Sequence, residues 1–121
     1  MAYEIGLTTI TVEAGADLSA KQFFFGSIAA DGQVDPTGAG LAADGVIMSK
    51  PSAAGQACAL AAAPGQVVKV STGAAVARGD LLEADANGEA ITQAAGKILA
   101  KALAASGGAH QIIPALLILQ R

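Results

Sequence analysis

The stretch AVARGDLLEADANGEAI, Ala75 to Ile91, admits three readings, and each gives the chain a different fold and task. Arg78-Gly79-Asp80 spells an adhesion tripeptide. Glu83, Asp85, Asn87 and Glu89 supply the alternating oxygen ligands of a calcium loop. The same residues also suit a corner, a strand, a tight turn and a returning strand. A helix-loop-helix calcium site requires a bidentate carboxylate at its twelfth position, and counted from Asp85 that position is Gly96. Asn87-Gly88 instead predicts a type I′ hairpin turn, in which both central residues take positive φ. Gly79, ahead of Asp80-Leu81-Leu82, suits a corner needing positive φ, and Asp80 can bond the local backbone there. The stretch therefore predicts β-structure, with its polar residues shaping backbone.

Composition supports short strands around a thin core. Of 121 residues, 30 are alanine, and only 34 are larger apolar residues or cysteine. Burial contributes about 25 cal/mol per Å², whereas ordering the backbone costs about 1–2 kcal/mol per residue. So alanine-heavy a chain is expected to draw stability from association. Fifteen glycines and four prolines cut it into brief segments, a spacing that favours strands over long helices.

Net charge of −3 and a pI near 4.8, with the seven basic residues scattered singly, argue against nucleic acid, whose phosphates demand clustered Lys and Arg. Cys58 is the lone cysteine and His110 the lone histidine, so an intrachain disulfide and a Cys-based zinc site are excluded. Cys58 is expected as a small buried hydrophobe, and His110 as a surface or capping residue. No phosphate loop, dinucleotide fingerprint or His-Glu-x-x-His occurs. We therefore expect no enzyme, no cofactor, no metal and no small-molecule substrate. MAYEIGLTTITVEAG lacks a basic segment followed by a long apolar run, which predicts no signal peptide. IIPALLIL is too short to span a membrane.

Along the chain, residues 1–13 are expected as an extended arm and 14–121 as one β-rich domain. Asp31-Gly32 predicts a hairpin turn, and DGVIMSKP a strand ended by Pro51. In GQACALAAAPGQVVKVSTG, Pro64-Gly65 predicts a second hairpin tip. HQIIPALLIL is expected to be the most buried strand, with Pro114 at an edge or bulge because it cannot donate to a ladder. GKILAKALAASGG conflicts with this scheme: Ile98, Leu99, Ala102 and Leu103 share a helical face, so a short helix over 97–105 stays open beside a strand. Phe23-Phe24-Phe25, read as a strand, points two rings one way and one the other. With so small a core this chain is not expected to cover both faces alone, and two options stay level: all three rings inside, or one face at a subunit or partner contact. The expected contact residues are Tyr3, Ile5, Leu7, Ile10 and Val12 of the arm, with Phe23, Phe24 and Phe25.

The order AGADLSAKQFFFGSIAADGQV, DGVIMSKPSAAGQACAL, GAAVARGDLLEADANGEAI, GKILAKALAASGGAHQIIPALLI resembles the capsid cement, or head decoration, proteins of tailed bacteriophages. The resemblance runs from about Ala14 to Leu119. It implies a mainly β fold, a small barrel or sandwich of short antiparallel strands. In that family the piece matching GKILAKALAAS is a strand, though GKIL departs from its usual β-branched character. The resemblance also implies a homotrimer on the capsid exterior, made in the host cytoplasm, binding the major capsid protein and stabilising the head without catalysis. Two rivals remain. A lipoyl-type carrier module shares the AVARGDLL corner, but neither expected hairpin tip holds the lysine that a carrier modifies. A phage tail or fibre subunit would share the same physical character.

Overall fold

In a computed structural model, which describes residues 3–4 and 8–121, ten strands make up the regular structure and no helix is found among the described residues. The first sheet contains β1 (Thr9–Ala14), β2 (Phe25–Ile28), β3 (Gln33–Pro36), β4 (Gly45–Ile47) and β5 (Ala57–Ala61). Its pairings run β1-β3-β2-β4-β5 and return to β1, so the strands form a ring. The parallel β1–β3 pair that closes the ring is only two residues long, Glu13↔Gln33 and Ala14↔Val34. The second sheet contains β6 (Val67–Ser71), β7 (Leu81–Ala84), β8 (Ala90–Thr92), β9 (Ala100–Ala102) and β10 (Ile112–Leu117). It is open, in the order β6-β10-β9-β7-β8, so the chain as a whole is sandwich-like and not a single barrel.

Two hydrophobic clusters follow from this layout. Inside the ring lie Ala14, Leu18, Phe24, Val34, Ile47, Cys58 and Leu60. Between ring and open sheet lie Phe25, Val46, Val68, Val70, Leu82, Leu99, Ile113 and Leu117, together with seven alanines. Those alanines let the inner face of the second sheet approach the ring closely. Phe24 and Phe25 are both buried, 9% and 1% exposed, and enter different clusters. The expectation that this chain could not cover both faces of the triplet is thereby corrected. The triplet is also not one strand: only Phe25 belongs to β2, while Phe23 turns with φ 70° and remains half-buried.

The 97–105 segment holds strand β9 at Ala100–Ala102 and no helix, which removes the helix option. Ala100 and Ala102 point inward and Lys101 outward, the two-residue period of a strand. β9 pairs with β10 through Ala115↔Ala102 and Leu117↔Ala100, and with β7 through Leu82↔Ala100. A helix here would strip both neighbours of ladder partners within a buried sheet, a loss larger than alanine's helix preference of a few tenths of a kcal/mol.

Two turn assignments also change. Asn87-Gly88 is not type I′, because among this pair only Gly88 has positive φ, at 89°. The Gly88 N–H donates to Asp85 C=O at 3.1 Å, and Asp85 Oδ1 accepts from the N–H groups of Asn87 and Glu89. An aspartate side chain thus does the work assigned to a second left-handed residue. The Asp31-Gly32 hairpin has the same design, with Gly32 at φ 80° and Asp31 Oδ1 accepting from the Gln33 N–H. Pro64-Gly65 is not a hairpin tip, since β5 and β6 belong to different sheets and the turn carries the chain between them. Pro114 lies in β10, which is paired on both sides. Its carbonyl accepts from the Leu103 N–H just beyond the end of β9, so its missing donor falls where that ladder has already stopped.

Of the expected arm, Thr9–Glu13 are in β1, paired with Ala57–Ala61 of β5. Thr8 is held to Gln66, whose side-chain amide both accepts from the Thr8 N–H (2.6 Å) and donates to its carbonyl (3.1 Å). Glu4 reaches Lys69 at 3.8 Å.

Candidate interaction surfaces

The corner that opened the sequence analysis is built as backbone. Gly79 has φ 90°, the Asp80 N–H donates to Ala77 C=O, and Asp80 Oδ2 accepts from the Ala77 N–H and the Thr92 hydroxyl. The Gly79 N–H donates to Ala102 C=O at 2.8 Å, which pins the corner against β9. At the other end of the stretch, Gly88 C=O accepts from the Phe25 N–H at 2.8 Å. The tip of the β7–β8 hairpin is therefore bonded to the ring.

Three of the four oxygen ligands of the calcium reading are engaged elsewhere. Glu83 Oε1 accepts from the Ala94 N–H, Asp85 closes its own turn, and Glu89 is 1% exposed beneath Ser71 and His110. Among the described residues no group of three or more His, Cys, Asp or Glu is placed to hold a metal ion.

Ser71, Glu89 and His110 form the one constellation with catalytic-looking chemistry. Ser71 Oγ donates to Glu89 Oε2 at 2.7 Å, and His110 Nδ1 meets that same oxygen at 2.9 Å. A serine nucleophile needs its hydroxyl on the imidazole, with the carboxylate behind the ring. Here both side chains point at the carboxylate, and Ser71 is only 4% exposed. The cluster works as a latch. It fastens the turn before β10, where His110 takes φ 62° and donates its N–H to Thr72 C=O, onto the hairpin carrying Glu89. His110 is exposed, as expected; its partner Glu89 was missed because residues 71, 89 and 110 share no local pattern. Cys58 is fully buried in the ring, and burial pushes its thiol pKa up despite a hydrogen bond involving Ser49. It does not approach His110.

The expected contact residues separate in space. Tyr3 is 42% and Ile10 44% exposed, Val12 and Phe23 are half-buried, and Phe24 and Phe25 are internal. Ile5 and Leu7 lie outside the described residues. Lys21 stands over the Phe24 ring at 5.0 Å and Lys69 over the Phe23 ring at 5.7 Å, so cations cover what aromatic surface remains. Further exposed apolar side chains are Leu41, Leu81, Ile112 and Ile118.

One depression of about 590 Å³ opens beside the corner, lined by Tyr3, Arg78, Gly79, Lys101, Ala102, Leu103 and Ala104. Arg78 rides on the pinned corner, and Lys101 projects from the outer face of β9, opposite Leu81 and Leu116. The Gly79–Ala102 hydrogen bond ties the two backbone segments that present the cations to each other. Sequence reading had placed Arg78 in a turn and Lys101 in a segment open to helix or strand.

No family model matches the chain, and no curated protein matches it. Among solved structures, the fold is similar to that of the head fiber gp8.5 N base in bacteriophage phi29, with a TM-score of 0.69 and 15% identity, over 95% of this chain and 97% of that one.

Proposed function

We propose that the chain is a non-enzymatic structural subunit of a bacteriophage virion, attached to the outside of the head. The observation that carries this is the fold likeness to a head-fibre base over nearly the whole of both chains. It converges with the independent resemblance of the segment order to head decoration proteins. On this reading the subunit binds the major capsid protein as a homotrimer and braces the shell, many modest contacts adding through effective concentration. Apart from the latch, which is wired as a support, the described residues offer no side-chain grouping arranged for chemistry.

A second reading makes the same subunit the foot of a fibre that projects from the head, and the likeness to a head fiber base favours it. One experiment separates the two. Purified protein is added to expanded, undecorated heads and the particles are imaged. Regular density spread over the shell supports a bracing subunit, and density at isolated positions supports a fibre foot. Bare particles would remove both.

A further inference from the structure

We propose that the depression between Arg78 and Lys101 receives carboxylates from the acidic end of the ring of a second copy, so that subunits associate head to tail. This rests on the proposed role only in requiring that the subunit assembles.

Charge is divided unevenly between the two halves. Residues 9–61 carry five carboxylates and two cations, whereas residues 62–121 carry four carboxylates and five cations. The four acids of the second half are withdrawn by burial: Glu83 and Glu89 are buried and Asp80 and Asp85 half-buried, whereas Glu13, Asp17 and Asp31 of the first half are exposed even though Asp17 and Asp31 also accept from their own turns. Its cations are left on the surface. Lys69 meets Glu4 and Arg121 meets Asp44, but neither Arg78 nor Lys101 has a carboxylate within 4 Å. The undescribed residues Met1, Ala2, Ile5, Gly6 and Leu7 hold no side-chain carboxylate that could serve.

The first half is the complement. Glu13 and Asp31 both bond Gln33, through its side chain and its N–H respectively. Asp35 lies against Gly15, and Asp17 follows two residues later. Four acids thus gather where β1 meets β3, and no cation pairs with any of them among the described residues.

The lining identifies the occupant as polypeptide. Two cations are too few for a nucleic-acid track, in which each phosphate contact needs its own Lys or Arg. Tyr3, Leu103 and the alanines supply apolar walls beside the charges, and such mixed surfaces suit protein contacts. Because donor and acceptor patches differ, the contact is heterologous, and a heterologous contact closes into a ring when its rotation allows.

The test measures mass in solution by light scattering, with circular dichroism and melting as fold controls. Wild type is expected to associate, and to dissociate at least in part in about 0.5 M salt, where screening acts over a few Å. Arg78→Glu with Lys101→Glu, and separately Glu13→Lys with Asp17→Lys, are expected to be folded monomers. All four substitutions in one chain restore complementarity and should restore the wild-type mass. The idea is overturned if wild type is monomeric, or if its association ignores salt. It fails equally if folded charge variants keep the wild-type mass, or if the folded fourfold variant stays monomeric. Loss of capsid binding with unchanged self-association would move the depression to the capsid contact, which refutes the head-to-tail contact and leaves the virion role standing.

Discussion

The ring and the open sheet solve the same problem with different materials. The ring fills its interior with Leu18, Phe24, Val34, Ile47 and Leu60, side chains large enough to meet across the middle. The open sheet has alanine at five of the inward positions on β7, β8, β9 and β10 that face the ring, and it closes the gap by approach. Where approach is the solution, glycine is needed at the contacts. A Cβ on Gly96 would strike the Gly40 Cα, and one on Gly88 would crowd the Phe25 carbonyl oxygen at 3.0 Å. Bulk therefore holds the first region, and proximity the second. Phe25 belongs to both, as a ring-strand residue whose side chain supplies the volume that the alanine face lacks.

This contrast can be broken most directly at Phe25. Phe25→Ala is expected to cost about 3–5 kcal/mol and to lower the urea midpoint of the whole chain, because the ring and the open sheet lose their shared anchor together. Phe24→Ala, confined to the ring and slightly more exposed, should fall at or below the lower end of that range. A larger loss at Phe24 than at Phe25 would mean that the ring carries the stability alone.

The latch comes next. Glu89→Ala removes the acceptor for Ser71 and His110 and is expected to cost about 1.5–3 kcal/mol. Amide exchange should rise locally over 106–111 beyond the global change. Overpacking the close seam is comparable or smaller: Gly96→Ala is expected to destabilise by about 1–3 kcal/mol, whereas Gly55→Ala, with open space around its Cβ, should show only the cost of its φ of 85°. Equal losses at the two glycines would deny that proximity matters.

The smallest effect is electrostatic. Burial works against the charge on Asp44, but the Ile28 N–H donates to it at 2.7 Å and Arg121 pairs with it, so its carboxyl lies below the ordinary value of 3.8. A depressed carboxylate contributes stability above its unfolded pKa and loses it as pH falls through the folded one. Asp44→Asn should therefore lower stability modestly at neutral pH and flatten the decline below about pH 4. An unchanged acid profile would show that this link between the ring and the chain's last residue carries no weight.

Much of this was legible from residue types alone. Punctuation by glycine and proline predicts short strands, and Asp31-Gly32 and Asp85-to-Gly88 mark the two hairpins because their turn chemistry is local. The Arg-Gly-Asp corner is local in the same way. The expected core was right about Cys58, since a lone thiol needs no knowledge of neighbours to be placed inside, but β10 is not the most buried strand: it leaves Ile112 exposed while all of β4 is buried.

What failed or stayed open depended on partners distant in sequence. GKILAKALA satisfies a helix on its own, and only the flanks offered by β7 and β10 make it a strand. Pro64-Gly65 looks like any hairpin tip, and only the separation of β5 from β6 into different sheets makes it a crossing. Pro114 sits in a central strand because β9 happens to end beside it.

The sequence by itself thus determined the β class, the hairpin corners and an alanine-heavy composition that demands close packing, because each depends on short-range sterics and side-chain volume. Tertiary structure alone decided the ring, the Ser71–Glu89–His110 latch and the pairing of Arg78 with Lys101 beside one depression. Those depend on which backbone edges meet, and a hydrogen-bonding edge carries no residue-specific label in the chain.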